Sequence, residues 1–180
     1  MGPELRRKLD YSDYVSTPDD GKIYQIVEGN LYVNPSPSPA HQRVSRRLQL
    51  QLEAYFHGRS LGEVFDAPID VILSDHDVVV PDLVVVSEPE LISNRGIEGP
   101  PVLIVEILSP STQKQDRGPK ARRYAAAGVE HYWIVDPKAK RMECHRLEDQ
   151  SFQLVAEFDG DSSFEHPDLT GLQIDLAALW

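Results

Sequence analysis

Two runs rich in β-formers flank Glu28-Gly29-Asn30 in KIYQIVEGNLYVN (22–34), which predicts a β-hairpin with Gly29 supplying the permissive turn backbone. Ahead of it, residues 10–15 read as a short helical turn ended by Thr17-Pro18-Asp19-Asp20-Gly21. NPSPSPAH (34–41) reads as a loop. Over 40–57 the period changes. Val44, Leu48, Leu52 and Tyr55/Phe56 recur at helical spacing, with Arg43, Arg46, Arg47 and Gln51 elsewhere, predicting an amphipathic helix stopped at Gly58. Strands follow near 63–66 and 69–73, then a turn at Ser74-Asp75-His76 and a strand through 83–86. The nearly all-apolar run VLIVEIL (102–108) predicts a strand buried on both faces. The loop SPSTQKQD leads to Gly118-Pro119, where proline suits the first turn of a helix running to Ala127, with Gly128 as breaker. HYWIVD (131–136) is another strand, and the remainder, through Leu154–Phe158, reads as further strands closed by a short DLAALW helix. Interleaved strands and helices predict an α/β or α+β domain spanning 1–180, built on a mixed sheet with a helix on each side.

A length of 180 residues with 41% hydrophobic and 26% charged positions fits one soluble domain. No apolar run approaches the roughly 18 residues that cross a bilayer, and MGPELRRKLD lacks the apolar stretch of a secretory signal. The single cysteine, Cys144, excludes an internal disulfide and a cysteine-based zinc site. The expectation is a cytoplasmic protein with no membrane and no disulfide-linked partner. Asp plus Glu number 29 against 18 Lys plus Arg, a net charge of −11. That balance weighs against a broad grip on duplex DNA, which draws most of its energy from phosphate contacts.

Glu106 does not fit a simple core strand, because a lone buried carboxylate is costly unless paired or bound to a cation. On a strand it shares a face with Val102, Ile104 and Leu108. Asp82 opens the preceding run PDLVVV, and if the two strands are neighbours the carboxylates can meet. They would repel unless a cation sits between them. Magnesium is the obvious candidate, since it takes one or two carboxylates plus waters and phosphate oxygens. A lysine should complete the set, orienting or helping to deprotonate water, or stabilising phosphate charge. The familiar position, two residues after the glutamate, holds Leu108. The next helix offers Lys120, with Asp116 four residues before it and Tyr124 four after. Lys114, Arg117, Arg122 and Arg123 nearby, with Arg43, Arg46 and Arg47, could form a basic rim on an acidic protein.

The ordered series PDLVVV, VLIVEILSPST, DRGPKARRY and GVEHYWIVDP resembles the Uma-type family, grouped with the restriction endonucleases as a branch of the PD-(D/E)xK nuclease superfamily. YQIVEGNLYV, PSPSPAHQRV, VFDAPIDVIL and GLQIDLAALW agree as well, so the resemblance runs from about Tyr11 to Trp180. It implies a restriction-endonuclease-like mixed sheet flanked by helices, with an N-terminal hairpin and extra C-terminal strands. It also implies a lysine displaced from the strand to the following helix. On that basis Asp82, Glu106 and Lys120 are the catalytic residues. Asp82, Glu106 and the carbonyl of Ile107 hold Mg2+, with Mn2+ able to substitute. His41 matches a recurrent family position without an assignable role, and His41, Arg43, Arg117 and Tyr124 are candidate substrate contacts. Family members often carry glutamate where this chain has Gln25 and Asn30.

Plainer readings stand beside these. Asp82 follows a proline at a strand start, where acidic turn residues are common. Lys120 could lie on a solvated helix face, Tyr124 suits core packing, and Ser109 suits a turn cap. Asp75-His76-Asp77 suits a hairpin turn better than a metal site, and Cys144-His145 lacks a third partner for nucleophilic chemistry. The leading expectation is magnesium-dependent hydrolysis of DNA phosphodiesters, with a homodimer favoured for double-strand cutting. A non-catalytic nucleic-acid-binding or interaction module that kept the nuclease fold is the rival. It draws on the charge of −11, Leu108, Gln25 and Asn30. A hydrolase of another phosphate-bearing substrate is a third reading.

Overall fold

The hairpin forms as its turn chemistry requires in the computed structural model, which describes residues 7–180. Strands β1 (Ile23–Val27) and β2 (Asn30–Asn34) pair antiparallel across Glu28 (φ 55°) and Gly29 (φ 77°). A tight hairpin wants positive φ at both positions, and glycine adopts it freely. Glu28 is anchored there by its N–H, which donates to Asp77 at 2.8 Å. Ahead of the hairpin, helix α1 (Tyr11–Val15) starts at Asp10, whose carboxylate accepts the backbone N–H groups of Ser12 and Asp13.

Helix α2 (Pro39–Phe56) opens on a proline, is capped by Ser38, and buries Val44, Leu48, Leu52 and Phe56. It does not stop at Gly58. A 3-10 turn carries the chain through His57–Arg59, and the reversal falls at Ser60 in the left-handed region (φ 57°).

The remaining strands are β3 (Glu63–Asp66), β4 (Val71–Ser74), β5 (Asp77–Val79), β6 (Leu83–Val86), β7 (Ile92–Ser93), β8 (Gly96–Glu98), β9 (Leu103–Ile107), β10 (His131–Asp136), β11 (Arg141–Glu148), β12 (Ser151–Asp159), β13 (Ser163–Glu165) and β14 (Gln173–Asp175). They build an α+β fold with two six-stranded sheets, ordered β12-β11-β10-β9-β6-β3 and β2-β1-β5-β4-β8-β7, and the separate pair β13-β14. In the first sheet only β9 and β10 run parallel. A parallel pair needs a crossover, which here is the helical segment 113–127.

The first sheet is covered on both faces, which is why β9 is wholly buried. One face (Leu103, Val105, Ile107, Trp133) packs on α2 and on Phe164 and Ile174 of the small pair. The other (Val84, Ile104, Ile134) packs on Tyr124 and on Val27, Val71 and Ile97 of the second sheet. The expectation of one sheet with a helix on each side is thus corrected on the second face, where much of the cover is another sheet.

Two further expectations change. The crossover helix begins earlier than Gly118. It comprises α3 (Gln113–Gln115), a π-helical stretch Asp116–Lys120 and α4 (Ala121–Ala127), with Pro119 inside the π stretch. A π turn leaves room in the hydrogen-bond ladder, so the missing proline N–H is tolerated there. Gly128 ends α4 at φ 94°, as expected. The closing DLAALW segment is not a helix. Asp175 belongs to β14, and the rest makes turns closed by the Leu179 N–H on the Leu176 carbonyl.

Candidate active site

Pro81 has no N–H to donate, and the chain leaves the second sheet between β5 and β6 at Val80-Pro81-Asp82. That break delivers Asp82 to the start of β6. Strands β6 and β9 are antiparallel neighbours with Leu83 opposite Val105, so one further step of register sets Asp82 beside Glu106. The Ile107 N–H donates to Asp82 Oδ2 at 2.7 Å, and His41 Nε2, from the first turn of α2, lies 3.2 Å from the same oxygen.

Glu106 leaves β9 on the face it shares with Ile104 and is 3% exposed. Its Oε1 lies 2.6 Å from Lys120 Nζ and accepts the Tyr124 hydroxyl at 2.6 Å. Lys120 Nζ also lies 3.2 Å from Asp116 Oδ1. The spacings 116, 120 and 124 bring Lys120 and Tyr124 to Glu106, and Asp116 to the same ammonium. Asp82, Glu106, Asp116, Lys120 and His41 line one cleft of about 450 Å3, walled by Pro35, Pro37, Pro110 and Pro137.

Each strand carboxylate therefore has one oxygen occupied and one spare. Asp82 Oδ1 and Glu106 Oε2 have no protein partner among the described residues, and Asp116 meets Lys120 through Oδ1 alone. Three carboxylates face one ammonium. Burial pushes the Glu106 carboxyl up, to about 8, with the Asp116 and Asp82 charges adding and Lys120 opposing. Burial also raises Asp116, against the pull of Lys120. For Lys120, burial works against the ammonium, but Glu106, Asp116 and Asp82 together outweigh it and raise its pKa. For His41, burial is likewise outweighed by Asp82, the Ile107 backbone and Asp116, and its pKa is raised. The pocket is short of positive charge.

Hard oxygen donors, spare carboxylate oxygens and a charge deficit fit a divalent cation such as magnesium. Among the described residues, no three His, Cys, Asp or Glu side chains are already gathered as a metal-binding cluster. Asp82 and Glu106 would therefore be joined by backbone oxygen, water or phosphate.

A family model described as "Putative restriction endonuclease", Uma2, matches residues 11–177. The chain belongs to the Uma2 family. The protein slr1290 of Synechocystis sp. (strain ATCC 27184 / PCC 6803 / Kazusa), described as uncharacterized, is 24% identical over 144 residues, covering 79% of this chain and 75% of that protein. A crystal structure from Anabaena variabilis ATCC 29413, described as a putative nuclease belonging to DUF820, superposes with a TM-score of 0.77 at 18% identity. It covers 95% of this chain and 97% of that one. The nuclease-type fold expected from the sequence is thereby shown.

Not every expected contact of this Uma2 chain reaches the cleft. Tyr124 is fully buried and touches Glu106, so it holds the carboxylate rather than meeting a substrate. Arg117 is committed to Glu143 by two bonds of 2.6 and 2.7 Å and lines a different depression, beside β12. The basic rim is largely neutralised: Arg123 pairs with Asp77 at 2.9 Å and Arg122 with Glu28 at 3.4 Å, while Arg47 donates to the Trp180 carbonyl at 2.6 Å. Arg43 and Arg46 are exposed, and no carboxylate pairs with either among the described residues. Gln25 is buried and accepts the Val80 N–H at 2.8 Å, so it braces the segment leading to Asp82, while Asn30 serves the hairpin turn.

Asp116 is the residue the sequence reading did not place in the site. Its only signal was the one-turn spacing from Lys120.

Proposed function

We propose that this Uma2 protein is a metal-dependent endonuclease that hydrolyses DNA phosphodiester bonds at the Asp82–Glu106–Lys120 centre. The observation that carries the reading is the pairing of two strand carboxylates, each with one tied and one spare oxygen, beside a buried ammonium. Asp82, Glu106 and the Ile107 carbonyl are the groups that would hold Mg2+ or Mn2+. When bound, that ion would polarise a phosphate oxygen and acidify a water.

The chain's own residues have separable roles in this reading. Lys120, held between Glu106 and Asp116, donates hydrogen bonds to the attacking water or to phosphate oxygens where negative charge grows. Tyr124 and Lys120 fix Glu106 through one oxygen and leave the other turned to the cleft. His41 and the Ile107 N–H do the same for Asp82, and such supporting bonds set ligand orientation.

The test is incubation of supercoiled plasmid and single-stranded circular DNA with magnesium or manganese, comparing wild type with Glu106→Gln. Wild type should cut and Glu106→Gln should not; equal cutting by both would remove Glu106 from the chemistry. The net charge of −11 favours a second reading, a catalytically inactive nuclease-fold module that binds nucleic acid or protein. Absence of cutting by wild type with either metal would favour that module. Homodimer formation and a cytoplasmic setting belong to the proposal as well. No helix among the described residues is long and apolar enough to cross a membrane.

A further inference from the structure

His41 and Asp82 are shared by two depressions of opposite character. One is the recessed cleft of about 450 Å3, with Ile23, Leu108, Pro35, Pro37, Pro110 and Pro137 among its walls. The other is a more polar groove of about 540 Å3 along α2, carrying Arg43 and Arg46. Pro37 and Ala67 also border both, so the two run continuously past the Asp82 carboxylate. Exposed Lys138 stands at the cleft's other rim.

We infer that this pair of depressions takes single-stranded DNA, with an unpaired base against the proline walls and the adjoining phosphates on Arg43 and Arg46. The inference rests on the nuclease reading above and names its substrate class. Three features select a single strand. First, the site is recessed: Glu106, Asp116 and Lys120 at the cleft floor are only 3%, 1% and 2% exposed. A duplex keeps its bases stacked and its width fixed, so reaching such a floor requires a base to leave the stack, at a cost that a single strand does not meet. Second, the walls are apolar and the cleft volume lies within the range of about 300–1,000 Å3 typical of small-ligand pockets. Third, the cation supply is short. A protein gripping duplex commonly neutralises about 6–10 phosphates, whereas here Arg117, Arg122 and Arg123 are spent on carboxylates. Arg47 also borders the second depression but is spent on the Trp180 carbonyl, which leaves Arg43, Arg46 and Lys138 as the exposed cations bordering the two depressions without a carboxylate partner among the described residues. They suffice for a short track on one strand. Arg43 and Arg46 lie one turn apart on α2, so both side chains reach the same stretch of backbone.

The experiment uses the full chain carrying Glu106→Gln, so that bound DNA stays intact, and a dye-labelled oligonucleotide read by fluorescence anisotropy. The same oligonucleotide annealed to its complement is the duplex probe. The single strand should bind at least about tenfold more tightly than the duplex, a difference of about 1.4 kcal/mol. Arg43→Glu with Arg46→Glu should weaken single-strand binding by at least about tenfold and flatten its salt dependence. Ala40→Trp, at an exposed position lining the cleft, should fill the base site and bring single-strand affinity down to the duplex value. All three positions are exposed on α2, and circular dichroism checks that the fold persists. Equal or tighter duplex binding would overturn the inference, as would a single-strand preference that survives Ala40→Trp. Cutting of single-stranded circular DNA and of plasmid by the wild-type chain is scored separately. A chain that cuts duplex plasmid but shows no single-strand preference keeps the nuclease reading and loses this inference. A chain that prefers single strands and cuts nothing does the reverse.

Discussion

Replacing Lys120 by methionine keeps an unbranched apolar stem, one atom shorter, and removes the charge. The lysine is 2% exposed, with its nitrogen 2.6 Å from Glu106 and 3.2 Å from Asp116. In Lys120→Met, two buried carboxyl groups face each other with only the Tyr124 hydroxyl to share. Breaking a buried pair by deleting one partner costs about 3–5 kcal/mol, because the remaining charge is uncompensated. Total stability for a domain is only about 5–15 kcal/mol, so the loss is severe. At about 2–4 °C per kcal/mol for a chain of this size, the melting temperature should fall by about 6–20 °C. Adding Glu106→Gln supplies a neutral acceptor for Tyr124 and removes one of the stranded carboxylates. The double variant should recover at least about 1 kcal/mol, as coupled neighbours do. Urea titration followed by tryptophan fluorescence measures this, since Trp133 is fully buried, with the slope checked for constancy. A Lys120→Met protein within about 1 kcal/mol of wild type would refute the triad's energetics. So would a double variant less stable than the single one.

His166 is buried, stacks on Trp133 at 5.0 Å, and accepts the N–H groups of Asp168 and Leu169 through Nδ1. Burial, then the neighbouring His131, lowers its pKa from 6.5 to about 4, against the pull of Asp168. The unfolded chain therefore takes the proton first, and this contribution to stability is lost as pH falls from 6.5 toward 4. Unfolding free energy measured across that window should fall by at most about 1.4 kcal/mol per pH unit from this group. His166→Gln should flatten the profile, and identical slopes would contradict the assignment. Leu48→Ala, at a fully buried position of α2, should cost about 2–5 kcal/mol in urea unfolding. His41→Ala should weaken manganese binding and cleavage by about 10–100-fold, the usual effect of losing a supporting partner. An unchanged binding isotherm would remove His41 from the site.

The chemistry was legible where a residue violated its surroundings. Glu106 inside an apolar strand cannot be explained by packing, and Asp82 after Pro81 marks where a strand restarts. Lys120 was harder, because in isolation it is one cation among several on a helical segment. The resemblance carried it, and the structure explains it through the 116–120–124 spacing. What stayed hidden depends on distant pairing. Nothing local says that Arg117 meets Glu143 or that Arg123 meets Asp77, so the basic rim looked wider than it is. The second sheet was obscured because β5, β7 and β8 are only two or three residues long and show no period. Proline favours first turns, so Pro119 marks a helix start in the sequence, and only a π turn lets it lie further in. Ser60 in place of Gly58 is a comparable case: the reversal falls where the Ser60 and Leu61 N–H groups close the turn on the His57 and Phe56 carbonyls, not at the most permissive residue.

Calorimetric titration of manganese into wild type, Asp82→Asn and Glu106→Gln bears most directly on the central claim, that the spare oxygens of these two carboxylates share one cation. Wild type should show a saturable site that weakens by at least about tenfold in each variant, with both variants still folded. Undiminished binding by either variant, or no binding by wild type, would contradict it.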